Sequence, residues 1–176
     1  MSESFVVISG CSGAGKSTLL DELARRGKSV VSEPGRRIVS AELAGDGKAL
    51  PWIDLAAFAR KAKALALEDR ATATALPAPV FFDRGLVDAL AALDFATGTH
   101  AISSLGQAHR YHRRVFMAPP WPEIWQTDAE RRHDFAAATA EFDRLVAAYT
   151  SLGYTLVMLD RAPVAARADQ ILACFS

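Results

Sequence analysis

The segment Gly10-Cys11-Ser12-Gly13-Ala14-Gly15-Lys16-Ser17 stands between an apolar pentapeptide, Phe-Val-Val-Ile-Ser, and an amphipathic stretch, Ser-Thr-Leu-Leu-Asp-Glu-Leu-Ala-Arg-Arg. It fits the pattern G-x-x-x-x-G-K-[ST], and it has the strand before and the helix after that this pattern requires. Glycines let the backbone take positive φ, so that successive N–H groups converge on an anion. The N-terminus of the following helix adds its dipole to the same point. The cradle runs from Gly10 through Cys11, Ser12, Gly13, Ala14, Gly15, Lys16 and Ser17 to Thr18. In such a loop Lys16 reaches the outer phosphates and the Ser17 hydroxyl holds Mg²⁺. Cys11 reads either as a small filler or as a thiol acidified by the nest.

The rest of the chain repeats the strand–helix rhythm. Short apolar runs at residues 5–9, 29–32, 80–83, 115–118 and 155–159 are rich in Val, Ile or Phe, the signature of strands buried on both faces of a parallel sheet. Helical patterns occupy residues 17–26, 52 to about 72, 86–95, 103–112 and 128–151, and a last helix follows Pro163. Thr127-Asp128-Ala129-Glu130 reads as a capping box for the fifth of these. Strands alternating with helices predict an α/β fold in three layers around a parallel sheet. With 176 residues the chain is long enough for one such domain, spanning 1–176. Ligands of such sheets lie at the carboxyl ends of the strands.

Two strand ends carry acids. The second runs into Glu33-Pro34-Gly35-Arg36-Arg37, and the third ends Phe82-Asp83-Arg84-Gly85. Asp83 suits a partner of Mg²⁺, or a base for a hydroxyl; its alternative is an N-cap for the helix at 86–95. Glu33 suits the base or an orienting group, and spacing does not choose between the two acids. Arg36, Arg84, Arg131 and Arg132 are candidate phosphate or carboxylate contacts, because guanidinium forms bidentate pairs. Arg36 and Arg84 fall where a substrate is expected. Arg131 opens the helix after the proline- and tryptophan-rich connection at 119–125, which is placed to close over a nucleotide. Asp88, one turn beyond Arg84, is a structural partner for it. Trp52 and Phe58 are either core or stacking groups. His109, His112 and His133 match no metal spacing and carry no assigned role.

Composition narrows the class further. Twenty basic and twenty acidic residues balance, which argues against a nucleic-acid-coating protein. Cys11 and Cys174 form no CxxC or Cys/His zinc pattern. The first ten residues lack a signal-peptide charge pattern, and no apolar run approaches the ~20 residues of a membrane span, so a cytoplasmic protein is expected. The chain contains no asparagine, hence no guanine-reading Asn-Lys-x-Asp, which makes ATP the expected nucleotide.

Taken together, GCSGAGKST, SEPGRR, FFDRG and the DAERR helix start resemble the P-loop kinase group. The Glu-Pro and Asp-Arg pieces look like those of deoxynucleoside and thymidylate kinases. Over nearly the whole chain the resemblance is to a small bacterial family of AAA-domain "predicted ATPases", similar to ribosylnicotinamide kinase. It implies a five-stranded sheet of order 2-3-1-4-5 and a helical lid over about 119–135 with Arg131 as its phosphate contact. It implies that Lys16, Ser17, Glu33 and Asp83 carry over by position. Gly85 follows Asp-Arg where nucleoside and nucleotide kinases have Ser or Tyr, so the implied acceptor is a small molecule that need not be a nucleoside.

The expected activity is transfer of the γ-phosphoryl of ATP, with Mg²⁺, to a hydroxyl of such a molecule. The alternative is a slow ATPase that acts as a nucleotide-controlled binding module on a protein partner.

Overall fold

The structure, a computed structural model, describes residues 2–125 and 134–175. Its five strands are β1 (Phe5–Gly10), β2 (Ser29–Val31), β3 (Val80–Asp83), β4 (Arg114–Ala118) and β5 (Thr155–Met158). They form one parallel sheet of order β2-β3-β1-β4-β5. That is the order the family resemblance implied. The helices are α1 (Lys16–Arg25), α2 (Pro34–Ala44), α3 (Leu55–Thr72), α4 (Leu86–Thr97), α5 (Phe135–Ser151) and α6 (Val164–Leu172).

Alternation along the strands divides the core in two. Phe5 and Val7 of β1, with Phe82 and Met117, face Leu86, Leu90, Leu145 and Tyr149 of α4 and α5. Val6 and Ile8, with Phe81 and Phe116, face Leu19 and Leu23 of α1 and Ile171 of α6. A sheet covered on both faces explains why its central strands read as continuous apolar runs. Among the described residues, no helix is long and apolar enough to cross a membrane.

Three elements differ from the sequence reading. Residues 34–44 form a helix to which the sequence reading assigned no element, with Pro34 at its first position and Ile38 and Val39 buried. The stretch expected as a helix at 103–112 is a short π-helical turn, Ile102–Gly106, before β4. The helix expected from residue 128 is described from Phe135, capped by Asp134, whose side chain accepts from Ala137 N. The capping box at 127–130 lies outside the described residues.

Candidate active site

The phosphate loop is built by β1 stopping beside β4. Cys11 N donates to the Ala118 carbonyl at 2.8 Å, which holds the loop to the end of β4. Gly15 is the N-cap of α1, at φ 74° and ψ 27°. A serine or aspartate there would use its own side chain on the first N–H groups of the helix. Glycine has none, so those donors stay available to an anion. Cys11 is fully buried in the α1–α6 core, the filler reading of that residue.

The connection beyond β4 packs on this loop. A Cβ added to Gly13 would lie 2.6 Å from Trp125 Cδ1, and Gly13 has φ 80°. Gly13→Ala therefore meets both a positive φ and the indole. It is expected to destabilise the fold by about 1–3 kcal/mol. Tryptophan emission should shift to the red as Trp125 is pushed outward, and a spectrum unchanged from wild type would contradict this packing.

Lys16 is buried, and its Nζ donates to the Cys11 carbonyl at 2.8 Å. Burial lowers its pKa, the positive Arg84 lowers it further, and Asp83 and Glu33 oppose both. Ser17 Oγ donates to Asp83 Oδ2 at 3.3 Å. Parallel pairing of β1 with β3 sets Asp83 level with Ile8, and so at the mouth of the loop. Asp83 Oδ1 is buried with no hydrogen-bond partner among the described residues. Burial and the nearby charge of Glu33 raise the Asp83 pKa to about 6, against the pull of Lys16 and Arg84. A serine hydroxyl beside a carboxylate with one free oxygen is a donor set that suits a hard divalent cation such as Mg²⁺.

Asp83 does not cap α4. The cap is Gly85, whose N–H donates to Asp88 Oδ2 at 2.8 Å. Asp88 is a buried hub that also accepts from Ser9 Oγ and from Tyr149 OH at 2.6 Å. Burial raises the Tyr149 pKa well above its ordinary value, so the phenol stays a donor. Tyr149→Phe leaves a buried carboxylate one donor short. A loss of about 1–3 kcal/mol is expected in urea unfolding.

Arg84 has φ 63°, a left-handed conformation that is strained for a side chain of its size. Its N–H donates to the Ile8 carbonyl at 2.9 Å. Its guanidinium meets Glu141 at 2.9 Å, Glu33 at 3.2 Å and Asp88 at 3.3 Å. Burial works to lower its pKa, but the carboxylates, Glu141 foremost, hold it above the ordinary value.

Lys16, Ser17, Glu33, Arg36 and Arg84 line one cavity of about 800 Å³, and Asp83 lies behind that lining, reached through Ser17. Arg36 is half-exposed, its Nε 3.6 Å from Glu33 Oε2. The far side of the cavity is walled by Trp52, Phe58 and Phe95, with Arg144 stacked on Phe95 at 3.9 Å. Arg131 lies outside the described residues. Glu141 escaped the sequence reading, although its position on the α5 stripe carrying Ala138, Leu145, Ala148 and Tyr149 is a legible signal. Nothing in the local sequence marks Arg144 or Arg167.

A sequence model of the AAA domain family matches residues 5–167. The chain belongs to this family. No curated protein sequence matches it. Among solved structures, this AAA-domain protein is similar to deoxyadenosine kinase from M. mycoides with bound dATP. That match has TM-score 0.60 and 15% identity and covers 98% of each chain. It is also similar to shikimate kinase from Acinetobacter baumannii in complex with shikimate, at TM-score 0.56 and 15% identity, covering 98% of this chain and 92% of that one. At such identities the likeness establishes the fold, which is that of the P-loop kinases.

Proposed function

We propose that the protein is a phosphotransferase that moves the γ-phosphoryl group of ATP to a hydroxyl of a small molecule. The observation that carries this reading is the single cavity joining the phosphate loop to a chamber walled by Trp52, Phe58 and Phe95, with Glu33 on its lining and Asp83 one hydrogen bond behind it through Ser17. A protein that only hydrolysed nucleotide would need no such chamber.

In this reading the loop N–H groups and Lys16 hold the β- and γ-phosphates. Ser17 and Asp83 hold Mg²⁺, which when bound neutralises charge on the phosphate oxygens. Glu33, held by Arg84 at the edge of the chamber, receives the proton of the acceptor hydroxyl. The acceptor oxygen bonds to the γ-phosphorus as the bond from that phosphorus to the β–γ bridging oxygen breaks, and ADP leaves. Arg84 and Arg36 orient the acceptor, and Arg131 is the lid cation that meets the charge of the transferring group. Catalysis is then positioning plus charge stabilisation.

The test is ADP release from Mg-ATP across nucleosides, nucleotides, sugars and aminoglycosides. At least one acceptor is expected to accelerate release about tenfold or more and to appear as its phosphate ester by mass spectrometry. Hydrolysis at one rate with every acceptor would sink the proposal and favour a nucleotide-driven binding module.

A further inference from the structure

Arg167, in the first turn of α6, is only 5% exposed. Its Nη1 donates to the Ala14 carbonyl of the phosphate loop at 3.0 Å. Its Nη2 lies 2.9 Å from where a Cβ on Gly15 would stand. The Trp121 ring sits 5.4 Å from the guanidinium carbon. Its Nε is buried with no hydrogen-bond partner among the described residues. No carboxylate among the described residues pairs with it, and burial alone acts on its pKa, downward.

The other buried cations of the site are matched. Arg84 has Glu33, Asp88 and Glu141 within salt-bridge distance. Lys16 feels the opposite charges of Asp83, Glu33 and Glu141. Among the described residues, Arg167 alone of these buried cations carries a desolvated charge with no counter-charge of its own. Such a charge is costly unless something pairs with it. The nearest feature built to receive an anion is the loop it touches.

We propose that Arg167 is a positioning residue for the nucleotide's polyphosphate: it braces the turn at Ala14 and Gly15 from behind, and its unmatched charge is matched when the phosphates bind. This rests on the nucleotide reading above. It adds a cation from the last helix that the loop motif does not contain. An arginine kept only as a brace needs the hydrogen bond to Ala14 but not the charge, and that difference is measurable.

The experiment compares Arg167→Met, Arg167→Gln and Arg167→Lys with wild type, using Mg-ATP and inorganic tripolyphosphate as probes in calorimetry and thermal melts. Glutamine keeps a donor for Ala14 without the charge, and lysine keeps the charge without the planar fork. The Met and Gln variants are expected to bind both probes about tenfold more weakly, with Lys within about threefold of wild type. Without ligand, Arg167→Met is expected to melt at or above the wild-type temperature, because an unpaired buried charge has gone. Wild-type affinity in Gln and Met variants overturns the inference. So does a loss seen with ATP but not with tripolyphosphate, which would assign Arg167 to the base end of the nucleotide. If the Met variant does not fold, the Gln variant decides by the same criterion. A wild-type protein that neither probe stabilises overturns the nucleotide reading itself, and this inference with it.

Discussion

Lys16→Ala is expected to lower kcat/KM by about 10³-fold and to weaken ATP binding by at least tenfold. The lysine is buried, and its ammonium donates to the Cys11 carbonyl at 2.8 Å. Burial has already removed most of its water and lowered its pKa, so bound phosphate meets a poorly solvated cation. Interactions with ionised groups in such a setting are stronger than their equivalents in water. Alanine removes the charge at the point where it develops during transfer, which is why the loss in kcat exceeds the loss in binding. The loop backbone remains in Lys16→Ala, so some affinity for polyphosphate persists. Steady-state kinetics with an accepted hydroxyl substrate and calorimetry with a non-hydrolysable ATP analogue separate the two effects. Undiminished turnover in this variant would remove Lys16 from the reaction and the proposed function with it. Lys16→Met, which keeps the packing volume, should match the alanine variant in both measurements.

Much of this was legible because the decisive features are local. The phosphate loop is written in consecutive residues, and β1 and α1 flank it with uninterrupted periodicity. Asp83 was found by its place at the end of an apolar strand, and parallel register did the rest by setting it level with Ile8. The strand order is different in kind. It followed from the family resemblance, since pairing between β3 and β1, with β2 and the helices α1, α2 and α3 intervening in sequence, leaves no local mark. Helix α2 was missed because β2 is only three residues long and Gly35 interrupts the helical pattern in the first turn. Its Pro34 start was the readable sign. Glu141 and Arg167 were missed for a more general reason. Each reaches its partners across long stretches of chain, Glu141 to Arg84 and Arg167 to Ala14. An acid or arginine inside a helix is ordinarily a surface residue; the α5 stripe marks Glu141 as facing inward, but which group it meets there is set by the packed structure.

Asp83→Asn should separate what this residue does for chemistry from what it does to the fold. Burial and the charge of Glu33 hold the carboxyl's pKa in the folded protein at about 6, above its ordinary value of 3.8. Between those values the folded state holds a proton that the unfolded chain has released. Stability therefore falls as pH rises from about 4 to about 6, and at neutral pH the ionised group is a net burden on the unliganded fold. Asparagine stays neutral at every pH. The variant should lose that slope and, without ligand at pH 7.5, be the more stable protein by on the order of 2 kcal/mol. Function should move the other way. The ionised oxygens face Ser17 and the mouth of the loop, where Mg²⁺ is expected. With the charge gone, kcat should drop about 10²-fold or more, and the dependence on Mg²⁺ should weaken. The wild-type pH profile carries the same signature. Log kcat/KM should bend down below about pH 6, because it reports the free enzyme. The bend in log kcat should lie lower, because bound cation favours the carboxylate and pulls its pKa down. Thermal melts across pH 4–8 and pH–rate profiles at two Mg²⁺ concentrations test both halves. A variant less stable than wild type at pH 7.5 would show that the Asp83 charge supports the unliganded fold, and a kcat/KM limb that persists in Asp83→Asn would belong to a different group.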